Sequence, residues 1–119
     1  FPYTTLFRSA SNTLARLIHA EAGNQDLMGK VLVGCVVMNR VKSPIFPNTV
    51  DGVIFQKGQF SVISNGTYYK VDVDDDSYEA ARLCLDNHTA FNPNILFFDS
   101  CGGVNGKNHF KHGDHWFGE

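Results

Sequence analysis

Residues 14–41 read Leu14-Ala-Arg-Leu-Ile-His-Ala-Glu21-Ala-Gly-Asn-Gln-Asp26-Leu-Met-Gly-Lys-Val-Leu-Val-Gly-Cys-Val-Val-Met-Asn-Arg-Val41. Leu14, Leu17, Ile18 and Glu21 fall at i, i+3, i+4 and i+7, one face of a 3.6-residue period, which predicts a helix over 12–22. Gly23-Asn24 supplies its stop. Asp26 is placed to cap a second helix over 27–41. The apolar residues of that segment go nearly all round, so it is expected to be the central, buried helix. Gly29 and Gly34 within it each cost about 1 kcal/mol against Ala. Close approach of a neighbouring backbone is the expected compensation.

Beyond this pair the pattern changes. Ser43-Pro44 and Phe46-Pro47 break the chain, and 49–55 can form a short helix. Segments 59–64 and 67–71 flank Asn65-Gly66, the signal of a two-residue β-hairpin turn. Asp76-Ser-Tyr-Glu79 has capping-box spacing and should open a helix over 77–87, with Ala80, Leu83 and Cys84 inward. Residues 95–99 read as a short strand in which Phe97 and Phe98 alternate, so only one faces the core. Residues 101–106 form a loop, and Phe110 with 115–117 make a closing strand pair. Helices first, strands later and one helix between define an α+β class. Residues 1–9, Phe-Pro-Tyr-Thr-Thr-Leu-Phe-Arg-Ser, fit neither period. They match one translation frame of a widely used sequencing adapter. They are therefore expected to be a non-native leader that leaves the native N-terminus missing, with the domain over 10–119.

The 119 residues suit one domain, and 43% hydrophobic against 18% charged residues suits a packed globule over a disordered chain. A net charge of −2 argues against a nucleic-acid binder held by bulk charge. Asp72, Asp74, Asp75, Asp76 and Glu79 hold five of the twelve acids, which leaves ten basic against seven acidic residues elsewhere. Such a body weakly favours an anionic polymer. The acidic run itself reads as a solvated helix cap. No apolar run approaches the ~18 residues of a membrane span. Cys35, Cys84 and Cys101 form no C-x-x-C, and the first two read as plain packing.

Glu21 is where chemistry enters. It shares the apolar face of its helix, where a carboxylate is costly unless paired or protonated. Desolvation raises a Glu pKa, as a general acid working near neutrality requires. Small neighbours Ala20, Ala22 and Gly23 leave room for a bulky ligand. The same pattern fits a helix-end Glu paired with Arg16 or Arg40, or one facing solvent, and periodicity alone leans that way. His109, His112 and His115 form H-x-x-H-x-x-H and invite a zinc reading. In loop and strand this spacing scatters the side chains, so no metal or cofactor is expected.

Three segments then carry a resemblance: 14–24 around Ala-Glu21-Ala-Gly-Asn; Gly29 with Val33-Gly-Cys-Val-Val-Met-Asn-Arg-Val-Lys-Ser43; and Phe46-Pro-Asn-Thr-Val-Asp-Gly-Val-Ile-Phe-Gln-Lys-Gly-Gln-Phe-Ser61. With the closing His112-Gly-Asp-His-Trp-Phe117, which is similar to Gly-Asn-His-x-Phe, they resemble the SleB/CwlJ family of cell-wall hydrolases, spore cortex-lytic enzymes included. The resemblance spans about residues 14–117. It implies a small lysozyme-like, lytic-transglycosylase-like domain with a helical lobe and a short antiparallel sheet. It also implies extracytoplasmic cleavage of peptidoglycan at the muramic acid–N-acetylglucosamine bond, in spore cortex or vegetative wall, by a monomer.

Glu21 is then the catalytic residue. Gln59 and Phe60 are expected to line the groove: a Gln amide can hold a sugar hydroxyl or acetamido group, and an aromatic ring can stack on a sugar. Phe60 fits a core position equally well. Asn39, Arg40, Phe98 and His115 complete the expected substrate-binding set, with Arg40 equally suited to steadying its own helix end. Two departures stand out. Gln25 replaces a second Glu that the pattern often carries, so that carboxylate is dispensable or activity is weakened. Gly118-Glu119 replaces a closing Tyr-Lys, as a clipped C-terminus would. An ordinary glycosidase needs two flanking carboxyls; no other acid here sits in a nucleophile-like motif, and one suffices for lytic transglycosylation. The rival expectations are a non-catalytic glycan-binding domain and, more distantly, a metal-dependent amidase.

Overall fold

Helix α1 runs Pro2–Ala22 and α2 runs Leu27–Lys42. The structure, a computed structural model, describes residues 2–119, with side chains from Arg8 onward. Leu14, Ala15, Leu17, Ile18 and Ala22 form the fully buried face of α1. The helix begins well before residue 12, so the lack of a period over 1–9 does not mark the lack of a helix. An apolar stripe reports burial, whereas residues 3–11 hold no Pro or Gly to stop a helical backbone. Asp26 caps α2 by accepting from the Gly29 amide at 2.8 Å, and α2 is buried nearly all round as expected.

The Gly34 expectation needs a correction. A Cβ there would meet Cys84 Sγ at 2.5 Å and Ile18 Cδ1 at 3.2 Å. The neighbours that require glycine are side chains of the flanking helices, not a backbone. The Cys35 and Cys84 thiols are buried, and Cys84 donates to the Val31 carbonyl at 3.2 Å.

Short helix α3 (Val50–Ile54) is capped by Thr49, which accepts from the Gly52 amide at 3.0 Å. The expected hairpin over 59–71 is absent. Its place is taken by α4 (Ser61–Ser64) and α5 (Thr67–Lys70). A type I′ hairpin turn needs positive φ at both central residues, but Asn65 sits at φ −87° and only Gly66 is left-handed, at +85°. The Asn65 side chain instead accepts from the Thr67 amide at 2.9 Å and starts the next helical turn.

Helix α6 spans Asp75–Asn87, and its cap is Asp74, not Asp76. Asp74 accepts from the Ser77 amide at 2.8 Å and pairs with Lys30 Nζ at 3.2 Å. The cap is thus also the partner of a cation that is only 3% exposed, and the Asp76–Glu79 spacing offers nothing comparable. These bonds hold the Asp74 carboxyl well below the usual carboxylate range despite some desolvation. Helices α1, α2 and α6 enclose the core.

After a 3-10 turn (His88–Ala90) come β1 (Phe97–Asp99), β2 (Phe110–His112) and β3 (His115–Gly118), antiparallel in the order β1-β3-β2. The register Phe98↔Phe117 and Phe110↔Phe117 stacks three rings across the sheet, with the Phe117 ring 6.2 Å from Phe98 and 5.4 Å from Phe110. Phe117 is fully buried, a contribution of roughly 1.5–3 kcal/mol. Among the described residues no helix is long and apolar enough to cross a membrane.

Candidate active site

An open groove of about 650 Å³ runs where the last turn of α1, the loop before α4, the end of β1 and the β2–β3 turn converge. Glu21 lines it from the end of α1. Among the described residues it has no ion-pair partner. The two arginines that periodicity offered it are engaged elsewhere. Arg16 Nη1 donates to the carbonyls of Tyr68 and Val71 at 3.2 and 3.0 Å. Arg40 Nε donates to the Leu96 carbonyl at 2.8 Å. Burial without a compensating charge pushes the Glu21 carboxyl up to about 7. The group therefore carries its proton into the neutral range and still reaches the groove.

Arg40 is 5% exposed and lies among rings, its guanidinium carbon 4.6 Å from the Phe46 centroid and 5.3 Å from Phe60. Burial brings it down to about 10, which leaves it cationic at neutral pH. Its Nη1 donates to Gln59 Oε1 at 3.1 Å. Arg40 lines the groove, but neither bond goes to its own helix end: it fastens the chain before β1 and orients a groove amide. With Oε1 accepting from Arg40, what Gln59 keeps free for a ligand in the groove it lines is chiefly its NH₂ donor. Phe60 stacks on Phe98 at 6.1 Å and is buried, so it is chiefly a core residue whose edge reaches the groove. Phe98 and His115 line the same groove, their rings 5.4 Å apart at 79°. His115 is 7% exposed, and its Nδ1 has no partner among the described residues. Burial pushes its imidazole below the ordinary value, so it is neutral at pH 7.

Asn39 does not reach the groove. Its Nδ2 donates to the carbonyls of Asn92 and Ile95 at 3.0 and 2.9 Å, holding the segment that leads into β1. An expected substrate contact is thus a structural clasp. Sequence reasoning did not assign Asn24, Ser61, Ser64 or Ser100 to the site and found no nucleophile-like motif at Asp99 or Asp114, yet all six line the groove. Asn24 and Ser61 lay within the quoted motifs, but nothing marked them as groove-facing.

The three histidines go to separate places. His109 Nε2 meets the Gly106 carbonyl at 2.8 Å, His112 Nε2 meets Asp26 Oδ1 at 2.8 Å, and His115 is in the groove. Among the described residues no three His, Cys, Asp or Glu side chains gather as metal ligands.

Fold and groove together define a small mixed helical domain with a three-stranded antiparallel sheet and a carboxyl of raised pKa at its cleft. Comparison with known proteins sharpens this. Residues 24–117 match the cell wall hydrolase family. The chain is 39% identical over 87 residues to the spore cortex-lytic enzyme of Bacillus cereus, covering 71% of this chain and 32% of that protein. It is also 39% identical over 56 residues to the spore cortex-lytic enzyme of Bacillus subtilis, covering 47% of this chain and 18% of that protein. The chain therefore spans about a third or less of these relatives. Among solved structures it superimposes on the catalytic domain of the Bacillus cereus SleB protein with a TM-score of 0.75 at 28% identity, over 94% of this chain and 91% of that one. It superimposes on the catalytic domain of the germination-specific lytic transglycosylase SleB from Bacillus anthracis with a TM-score of 0.73 at 28% identity, over 92% of this chain and 93% of that one. The chain belongs to the cell wall hydrolase family. The family match begins three residues after Glu21, so the case for that carboxyl rests on the geometry above.

Proposed function

We propose that this domain cleaves the glycan strands of peptidoglycan as a lytic transglycosylase, with Glu21 as acid and then base. The observation that carries the reading is the partly buried Glu21 carboxyl, raised to about 7 and open to the groove. In the first step Glu21 gives its proton to the oxygen that links muramoyl C1 to the next N-acetylglucosamine. The C1–O bond breaks with its electron pair on that oxygen, and positive charge develops at C1. Glu21, now a carboxylate, takes the proton of the muramoyl C6 hydroxyl. O6 closes on C1 to give a 1,6-anhydro end, and Glu21 is protonated again. No water is consumed.

The other groove carboxylates favour this one-acid route over a two-carboxylate hydrolysis. Asp99 Oδ1 accepts from the Cys101 amide at 2.6 Å, and Asp114 Oδ2 accepts from Gln25 Nε2 at 2.9 Å. Each is tied by one oxygen, Asp99 within its own loop and Asp114 across to Gln25, and neither lies in a nucleophile-like motif. Gln59 and His115 are the groove's polar contacts for substrate, and Phe98 with the edge of Phe60 supplies an apolar wall for a sugar face. The groove is complete within one chain, in keeping with a monomer. The reaction draws on no metal or cofactor, and its substrate places it outside the cytoplasm, in spore cortex or vegetative wall.

Digestion in ¹⁸O-labelled water tests the chemistry. Transglycosylation puts no label into the new ends; one ¹⁸O per cleavage would make the enzyme a hydrolase. Binding without cleavage would make the domain a glycan-binding module.

A further inference from the structure

The tip of the β2–β3 hairpin is tied to the residues that follow Glu21 by a closed pair of hydrogen bonds. Gln25 Nε2 donates to Asp114 Oδ2 at 2.9 Å, and the Asp114 amide donates to Gln25 Oε1 at 3.0 Å. The second Gln25 donor goes to Asn24 Oδ1 at 2.9 Å. Both Nε2 hydrogens and the amide oxygen are thereby committed, so Gln25 lines the groove with little left to offer a substrate. Gly113 makes the approach possible. Its φ is +57°, and a Cβ there would run into Gln25 Oε1. His112 Nε2 on Asp26 Oδ1, at 2.8 Å, closes the same seam, one residue on from Gln25 and two residues before Asp114.

The two ends of this tie lead straight to groove groups. Gln25 follows Glu21 by four residues, and Asp114 immediately precedes the buried His115 with its unpartnered Nδ1. We propose that Gln25 and Asp114 are positioning residues: their reciprocal pair sets the β2–β3 turn, and with it His115, at a fixed place relative to Glu21. This rests on the general-acid reading of Glu21. Position 25 must offer an acceptor to a backbone N–H and a donor to a carboxylate at once, which Gln does and Glu does not. A misplacement of ~1 Å at a reacting centre can cost ~10²-fold in rate, so a surface tie can govern turnover.

The prediction is a reciprocal exchange. Gln25→Glu sets a carboxylate against Asp114 and should lower kcat about tenfold, with KM shifted less than about twofold. Asp114→Asn keeps an amide–amide bond and the backbone bond, and should lose about threefold. The double variant restores the pair with donor and acceptor exchanged: the new carboxylate at 25 accepts from the amide group at 114 and from its backbone N–H. It should return kcat to within about threefold of wild type. Amide hydrogen exchange at Asp114 should follow the same order, fast in Gln25→Glu and slowed again in the double variant.

The assay uses soluble glycan strands, with melting curves to show that every variant folds and Glu21→Gln alongside. Recovery of kcat and of exchange protection together in the double variant supports the proposal. Full kcat in Gln25→Glu, or a double variant no better than Gln25→Glu, overturns it. A loss in Asp114→Asn as deep as in Glu21→Gln and unrelieved by the second exchange also overturns it, making Asp114 a reacting carboxylate. If Glu21→Gln itself cleaves at the wild-type rate, the general-acid reading fails, and with it a role in positioning for that acid; the exchange data still separate this from a failure of the tie.

Discussion

Replacing Glu21 with Gln should end cleavage and, at alkaline pH, make the domain more stable. Burial holds the carboxyl at about 7 against its ordinary 4.5. The folded state therefore binds this proton more tightly than the unfolded chain does. Its contribution to stability is complete below pH 4.5 and is lost as pH rises through about 7. The gap of 2.5 between the two values, at about 1.36 kcal/mol per pH unit, is worth about 3 kcal/mol. Gln has the shape of the protonated acid and never ionises, so it escapes the loss. Wild type and Glu21→Gln should melt together near pH 4 and separate between 5 and 8. Above that range the variant should lead by about 3 kcal/mol, or roughly 15 °C for a domain of this size. Urea and thermal melts at a series of pH values measure this difference directly, and other titrating groups cancel because both proteins share them. Parallel curves across the range would refute the burial argument. Turnover above about a tenth of wild type, a barrier change of only ~1.4 kcal/mol, would refute the catalytic one.

Glycan cleavage should fall as pH rises through about 7, because the reacting form of Glu21 is the protonated one; a rate still climbing at pH 9 would contradict this. EDTA should leave cleavage intact, since the proposed steps use only Glu21; loss on chelation with recovery on adding zinc would point to His109, His112 and His115. We propose that residues 10–119 are the working domain. A chain beginning at Ala10 should cleave at the full rate and melt within about 5 °C of the longer one, roughly 1 kcal/mol. A larger fall would place the first turns of α1 in the fold.

What was legible in the sequence was whatever repeats locally. The α1 stripe from Leu14 to Ile18, the buried α2 and its Asp26 cap were readable because a helical period and a cap each lie within a few residues. The placement of Glu21 on the apolar face followed from the same stripe. One failure was local: Asn65-Gly66 reads as a hairpin turn, but Asn65 sits at φ −87° and accepts from the Thr67 amide, which starts a helix instead. The other failures depended on partners far along the chain. Asp74 outcompetes Asp76 as a cap through Lys30, 44 residues away. Asn39 stood in the expected substrate-binding set, and only the return of the chain at Asn92 and Ile95 shows what it holds.

The Gln25–Asp114 tie spans 89 residues and was invisible to spacing. One member, Gln25, is a departure from the motif the chain resembles, Gln standing for Glu. The other, Asp114, takes the place of Asn in the similar closing Gly-Asn-His-x-Phe, so the carboxylate and the amide have changed sides.

Mass spectrometry of the muropeptides released from spore cortex and from vegetative sacculi, by wild type and by Glu21→Gln in parallel, tests the central claim most directly. A single groove acid that closes O6 onto C1 predicts new muramoyl ends that are 1,6-anhydro throughout with wild type, and no new ends with the variant. Reducing muramic acid ends, released stem peptides, or anhydro ends made equally well by Glu21→Gln would contradict it.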